Sequence, residues 1–212
     1  NIKNFYWGRF KKIVIPYIAC VLIYFIYFYT KHWVSARDLP KYLFLGTLSA
    51  HFYYIVIAVQ LYIIFPSLKV LFEKAPKTVT VISLICTILC LEFSGFNYSD
   101  RFMGTYIFYF VFGMLFSKYK LYEKIQKMRI LYIAGFIVTA VVHIYLSYLA
   151  TGGKFFYRFG YAINMLYVVL SILALYCIFY ALRNCKILYK SLGTVSNVSF
   201  SIYLYHIMII NL

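Results

Sequence analysis

Apolar residues in this chain run on without the alternation of a half-buried strand or the single stripe of a surface helix. Seven continuous stretches stand out: Ile13–Tyr29, His51–Phe72, Thr78–Phe93, Met103–Tyr119, Ile130–Leu149, Ala162–Leu182 and Val195–Leu212. A bilayer core of about 30 Å takes about 20 helical residues to cross. Each stretch is near that length and apolar on all sides, so the pattern predicts seven transmembrane helices. The strands of a membrane β-barrel would instead alternate over about ten positions. The expected fold is therefore all-α, a polytopic helix bundle forming one integral-membrane domain over residues 1–212.

Composition strengthens this reading. Hydrophobic residues make up 65% of the 212 and charged ones only 12%, about half the charge of an ordinary soluble domain. Aromatic residues reach 23%, with 25 Tyr and 21 Phe, as suits interfacial anchoring and helix contacts.

The formal charge of +16 would suggest nucleic acid in a soluble protein. Here the cations lie in short loops, and their distribution speaks to topology. Lys3, Arg9, Lys11, Lys12, Lys69, Lys74, Lys77, Lys118, Lys120, Lys124, Lys127, Arg129, Arg183, Lys186 and Lys190 fall on one side of a seven-span arrangement. Lys31, Arg37, Lys41, Arg101, Lys154 and Arg158 fall on the other. By the positive-inside rule the first, richer side is cytoplasmic. Residues 30–50, 94–102 and 150–161 are then expected to face outward from a plasma membrane. Nucleic acid is excluded as a partner, and membrane lipid is the expected surround.

Polar groups within the apolar runs carry the candidate chemistry, because they are costly in lipid. His51 is expected at the outer end of the second span. Tyr53 and Gln60, seven apart, share a face of that helix. Ser199, Tyr203 and His206 fall at i, i+4 and i+7 and form one polar stripe on the last span. Both a cavity role and an interhelical bond are open for them. Asn164, Tyr167 and Ser171 share a face where packing is the preferred reading. His143 reads as packing, and Glu92, Asp100 and Arg101 read as loop charges. Cys20, Cys86, Cys90, Cys177 and Cys185 read as small packing residues, with no metal site. Arg9 and Lys12, three apart at a helix entry, serve either as topology anchors or as a phosphate-binding pair.

The order of these features resembles the acyltransferase-3 family of multi-pass membrane acyltransferases. Arg9-Phe10-Lys11-Lys12-Ile13-Val14-Ile15-Pro16-Tyr17 resembles that family's Arg-x-x-Arg-Ile-x-x-Pro-Tyr segment, with Lys12 in place of the second Arg. His51-Phe52-Tyr53-Tyr54, then Gln60-Leu61-Tyr62 and Phe65-Pro66, resembles a second motif helix. Tyr109-Phe110-Val111-Phe112-Gly113 resembles its aromatic-Gly helix. Ser199 through His206 resembles its late Ser-x-x-x-Tyr-Leu-x-His motif. The nearest flavour is the branch that modifies surface polysaccharides.

The resemblance implies O-acyl transfer from acyl-CoA, a cosubstrate rather than a resident cofactor, to a hydroxyl of a surface glycan or lipid-linked saccharide. It implies Arg9 and Lys12 on the acyl-CoA phosphates and His51 and His206 as catalytic candidates. Tyr53, Gln60, Asn164 and Tyr203 are the candidates for the substrate cavity. It also implies a longer bundle, with two helices before Asn1 and one after Leu212. In that case the main catalytic histidine lies upstream and this stretch alone is inactive. A glycan exporter and a non-catalytic partner of a glycan synthase are the rival readings.

Overall fold

The computed structural model describes residues 2–93, 95–151 and 160–210. Every regular element among them is helical. Ten α-helices follow in order: α1 Ile2–Arg9, α2 Ile15–Thr30, α3 Leu39–Leu45, α4 Tyr53–Lys74, α5 Pro76–Glu92, α6 Ile107–Lys118, α7 Tyr122–Lys127, α8 Arg129–Thr151, α9 Gly160–Leu182 and α10 Lys186–Ile210. The chain packs as two compact units, Asn1–Phe110 with Val195–Leu212, and Val111–Thr194.

Among the described residues, five helical stretches are long and apolar enough to cross a membrane: Ile2–Thr30, Ala50–Lys74, Arg129–Thr151, Tyr161–Leu182 and Lys190–Ile210. The protein is an all-α, multi-pass membrane bundle. Of the other two expected spans, the third forms at about its expected length as α5 and the fourth is shorter. Helix α5 has 17 residues and α6 has 12, and at 1.5 Å per residue neither reaches about 30 Å. Helix α6 begins at Ile107 rather than Met103 because Ser99–Arg101 and Met103–Thr105 are taken up in 3-10 turns. Since α5 and α6 are consecutive, losing or keeping both leaves the alternation of basic loops unchanged. Lys154 and Arg158, and the last two residues of the seventh expected span, lie outside the described residues.

In the first unit α1 and α2 form one continuous helix joined by a π-helical turn, Phe10–Val14. The turn has a local cause. Pro16 has no N–H, so it cannot donate to the carbonyl four residues back, and its ring crowds that carbonyl. Widening lets the Ile15 N–H reach Phe10 O instead. Helix α1 then lies against α4. The Tyr6 hydroxyl donates to Ile63 O at 2.8 Å, and Phe5 packs on Tyr62 and Phe65. Pro66 lies inside α4 and removes the helical donor of the Tyr62 carbonyl, one residue before the carbonyl that Tyr6 takes.

After α2 the chain turns back along the same helix. The Tyr17 hydroxyl reaches Leu43 O at 3.0 Å and Tyr42 O at 3.2 Å, meeting carbonyls at the end of α3. Gly46 stops α3 in the left-handed region, φ 62°, and its missing side chain lets the Phe52 backbone approach. Phe52 is fully buried between the Tyr17 and Tyr24 rings. This return brings His51 beside Tyr24, partway along α2 and not at the end of that helix. The core here consists of Tyr17, Cys20, Val21, Tyr24, Leu48, Phe52, Ile55 and Leu204.

Gln60 braces the segment that follows α5. Its amide N–H donates to Arg101 O at 2.9 Å, and its carbonyl accepts from the Met103 N–H at 3.0 Å. Thr87, fully buried on α5, donates to Gly104 O at 3.0 Å and accepts from the Phe108 N–H at 3.2 Å. Gly104 sits so close to Phe102 and Cys90 that a Cβ would collide with both.

In the second unit α8 and α9 pair along their length. His143 stacks on Tyr167 with centroids 5.0 Å apart and planes 7° apart, and Phe136 stacks on the same ring. Ile125, Leu173 and Cys177 form the small core. Helix α8 buries no residue, an arrangement suited to acyl chains as solvent.

Gly46→Ala is expected to destabilise the first unit by about 1–2 kcal/mol for the left-handed backbone alone, with the collision against Phe52 added. Thermal unfolding in detergent measures this. Gly193→Ala, whose added methyl meets open space, should leave the midpoint level or raise it.

Candidate active site

The candidate site begins at a backbone atom. Leu204 is buried on α10, and three side chains point donors at its carbonyl oxygen: Tyr24 Oη at 3.2 Å, Cys20 Sγ at 3.3 Å and His51 Nε2 at 3.3 Å. The Tyr24 hydroxyl also accepts from the Met208 N–H at 2.8 Å. It is thus inserted between a carbonyl and an amide four residues apart on α10, a recognised way to open a helical turn.

These contacts assign the protons of His51. A carbonyl can only accept, so Nε2 carries the hydrogen. In the neutral ring Nδ1 then holds the lone pair, and it lies 2.9 Å from Ser49 Oγ. The serine hydroxyl is therefore the donor in that contact.

His206 has the opposite tautomer. Its Nδ1 is 2.8 Å from Tyr203 O and 3.2 Å from Ile202 O, so Nδ1 carries the hydrogen and Nε2 the lone pair. The two imidazole rings are 4.9 Å apart between centroids. Tyr203 stands edge-on to His51 at 5.3 Å, and its hydroxyl donates to the His51 carbonyl. Tyr54, exposed on α4, flanks Tyr203 at 5.7 Å. His206 also lines a groove of about 410 Å³ with Ser201, Ile202, Tyr205, Ile209 and Ile210.

Of the residues singled out from sequence, the structure brings together His51, Tyr203 and His206. Tyr53 is half-buried at the start of α4. Gln60 has both ends of its amide engaged by the 101–103 backbone, so it acts as a strut. Asn164 is exposed on α9 in the second unit. Arg9 and Lys12 are exposed at the α1 end of the first helix. The Arg9 guanidinium lies over the Tyr62 ring, 4.9 Å from its centroid. Lys12 lies inside the π turn that starts right after Arg9. Nearby, Lys3, Asn4, Tyr6, Trp7 and Phe10 line a groove of about 650 Å³ on α1.

Ser49, Tyr24 and the Leu204 carbonyl were not singled out from sequence, and Cys20 was read only as a small packing residue. Ser49 carried a weak signal, a hydroxyl two residues before a histidine. The carbonyl carried none.

Tyr24→Phe removes the hydroxyl that bridges Leu204 and Met208. It is expected to cost about 1–3 kcal/mol through the polar groups left unmatched. The thermal midpoint in detergent should fall by several degrees. Tyr29→Phe, at an exposed position of the same helix, should leave it in place.

Comparison with known proteins bears on what such a bundle does. No curated protein and no solved structure matches the chain. The acyltransferase-3 family model, described as an acyltransferase domain, matches residues 1–212. The chain therefore belongs to the acyltransferase-3 family and is a membrane acyltransferase.

Proposed function

We propose that the protein moves an acyl group from a cytoplasmic acyl-CoA to a hydroxyl of a surface or exported glycan, or of its lipid-linked precursor, at the plasma membrane. The observation that carries this reading is the pair of histidine rings 4.9 Å apart beside Tyr203, in a chain of acyltransferase family. A sugar hydroxyl is a weak nucleophile at neutral pH and needs a base. His206 Nε2 is a suitable one, because Nδ1 is held by the Tyr203 carbonyl.

In its direct form this reaction has the acceptor O–H give its proton to His206 as its oxygen attacks the thioester carbonyl. The C–S bond then breaks, and the CoA sulfur leaves with the proton from His206. Tyr203 and Tyr53 flank the acceptor.

At the other end of the helix Arg9 and Lys12 meet the phosphates of acyl-CoA. From Arg9 to the level of Tyr24 the helical rise amounts to roughly 20 Å, a distance for the extended pantetheine arm to cover. The excess of Lys and Arg in alternate loops supports a cytoplasmic Arg9. Arg9 gives a planar fork for phosphate and Lys12 a point charge.

His206→Ala is expected to lower transfer from acyl-CoA to glycan by a factor of about 10² to 10⁴ with little change in KM for acyl-CoA. Arg9→Ala is expected to raise that KM roughly tenfold or more, as loss of one charged contact implies. Both are read with the protein in proteoliposomes, following labelled acyl groups into the glycan. Wild-type transfer and wild-type KM in both variants would rule out this assignment.

A further inference from the structure

Ser49 occupies the residue before the 3-10 turn Ala50–Phe52, which leads directly into α4. Serine is favoured at such a position because its oxygen can accept a hydrogen bond from the N–H groups of the first turn. Ser49 makes no such bond. Its hydroxyl instead faces His51 Nδ1 at 2.9 Å. The far nitrogen of that ring is fixed by the Leu204 carbonyl, and the histidine's own carbonyl is fixed by the Tyr203 hydroxyl. A hydroxyl, a base with its lone pair on that hydroxyl, and a third group orienting the base constitute an activated nucleophile. Both Ser49 and His51 are only half-buried, so reactants can reach them.

We propose that Ser49 is a covalent acyl carrier, the nucleophile of a two-step transfer within the reaction proposed above, on which this inference rests. In the first step Ser49 Oγ attacks the thioester carbonyl and its proton passes to His51 Nδ1. The C–S bond breaks, an oxygen ester forms on Ser49, and CoA leaves as the thiol with the proton from His51. In the second step the acceptor hydroxyl gives its proton to His206 Nε2 and attacks the ester carbonyl. The bond from carbon to Ser49 Oγ breaks, the acylated acceptor departs, and the proton taken up by His206 returns to Oγ, which restores both groups. His51 and His206 thus divide the two half-reactions, consistent with their opposite tautomers and adjacent rings. A carrier of this kind lets CoA leave on one side before the acceptor arrives from the other.

The test uses the protein in nanodiscs with radiolabelled acetyl-CoA and no acceptor, quenched in acid and mapped by peptide mass. Wild type should hold label on the Ser49 peptide, released by alkaline but not by neutral hydroxylamine. Ser49→Ala should hold none and lose glycan transfer by about a hundredfold or more. Ser49→Cys should hold label as a thioester, released by neutral hydroxylamine, a change that a merely structural serine cannot produce. Transfer at the wild-type rate by Ser49→Ala, or wild-type transfer with no label on Ser49, overturns the carrier and leaves direct transfer standing. Neither label nor transfer in wild type overturns the carrier and the acyl-CoA reading together.

Discussion

A backbone carbonyl or amide without a partner costs several kcal/mol in hydrocarbon, and the first unit is organised around meeting that demand with side chains. Two prolines create the need within helices, Pro16 by forcing a π turn and Pro66 by removing a donor inside α4. The return of residues 31–52 along α2 creates more. Tyrosine, threonine and glutamine bond to backbone groups around these breaks: Tyr17 at the end of α3, Tyr6 at Ile63 beside the Pro66 gap, Thr87 at Gly104 and Gln60 at both Arg101 and Met103. These hydroxyls and amides take the part that water plays at the surface of a soluble protein. That accounts for a use of tyrosine beyond interfacial anchoring.

The same bonding sets the tautomers of the candidate site. The Leu204 carbonyl is a hub for Tyr24, Cys20 and His51, and through His51 it decides which ring nitrogen faces Ser49. The Tyr203 carbonyl does likewise for His206. Two histidines of the same sequence and similar surroundings therefore hold their lone pairs on different nitrogens. Packing and tautomer choice share atoms here, so a change that loosens α10 against α2 also alters the protonation pattern of the two histidines.

The fold class was legible because apolar continuity and loop charge are properties of the letters themselves. The stripe of Ser199, Tyr203 and His206 was legible for the same reason, since helical spacing puts those positions on one face. The length of α6 was not, because nothing in Met103-Gly104-Thr105 announces that Gln60 and Thr87 will hold that backbone in 3-10 turns. Residues 30–50 read as an ordinary outward loop with Lys31, Arg37 and Lys41, and their fold back along α2 depends on Gly46 and on Tyr17 from a distant turn. Gln60 was noticed for its polarity, but its partners are backbone atoms. Leu204 is an apolar letter whose relevant group is its carbonyl, and Tyr24 is one tyrosine among 25.

The π turn at Phe10–Val14 also sets a phase. One extra residue in a helical turn rotates everything before it by about 100° relative to everything after it. Arg9, Tyr6 and Phe5 therefore face α4 on a different meridian from the one a regular helix would give them. The basic collar and the buried seam of Tyr17 and Tyr24 belong to one rod, yet their relative bearing is set by a single wide turn. Tightening that turn to a regular one would keep every residue and every charge, and would swing the Arg9 guanidinium away from Tyr62 like the hand of a dial.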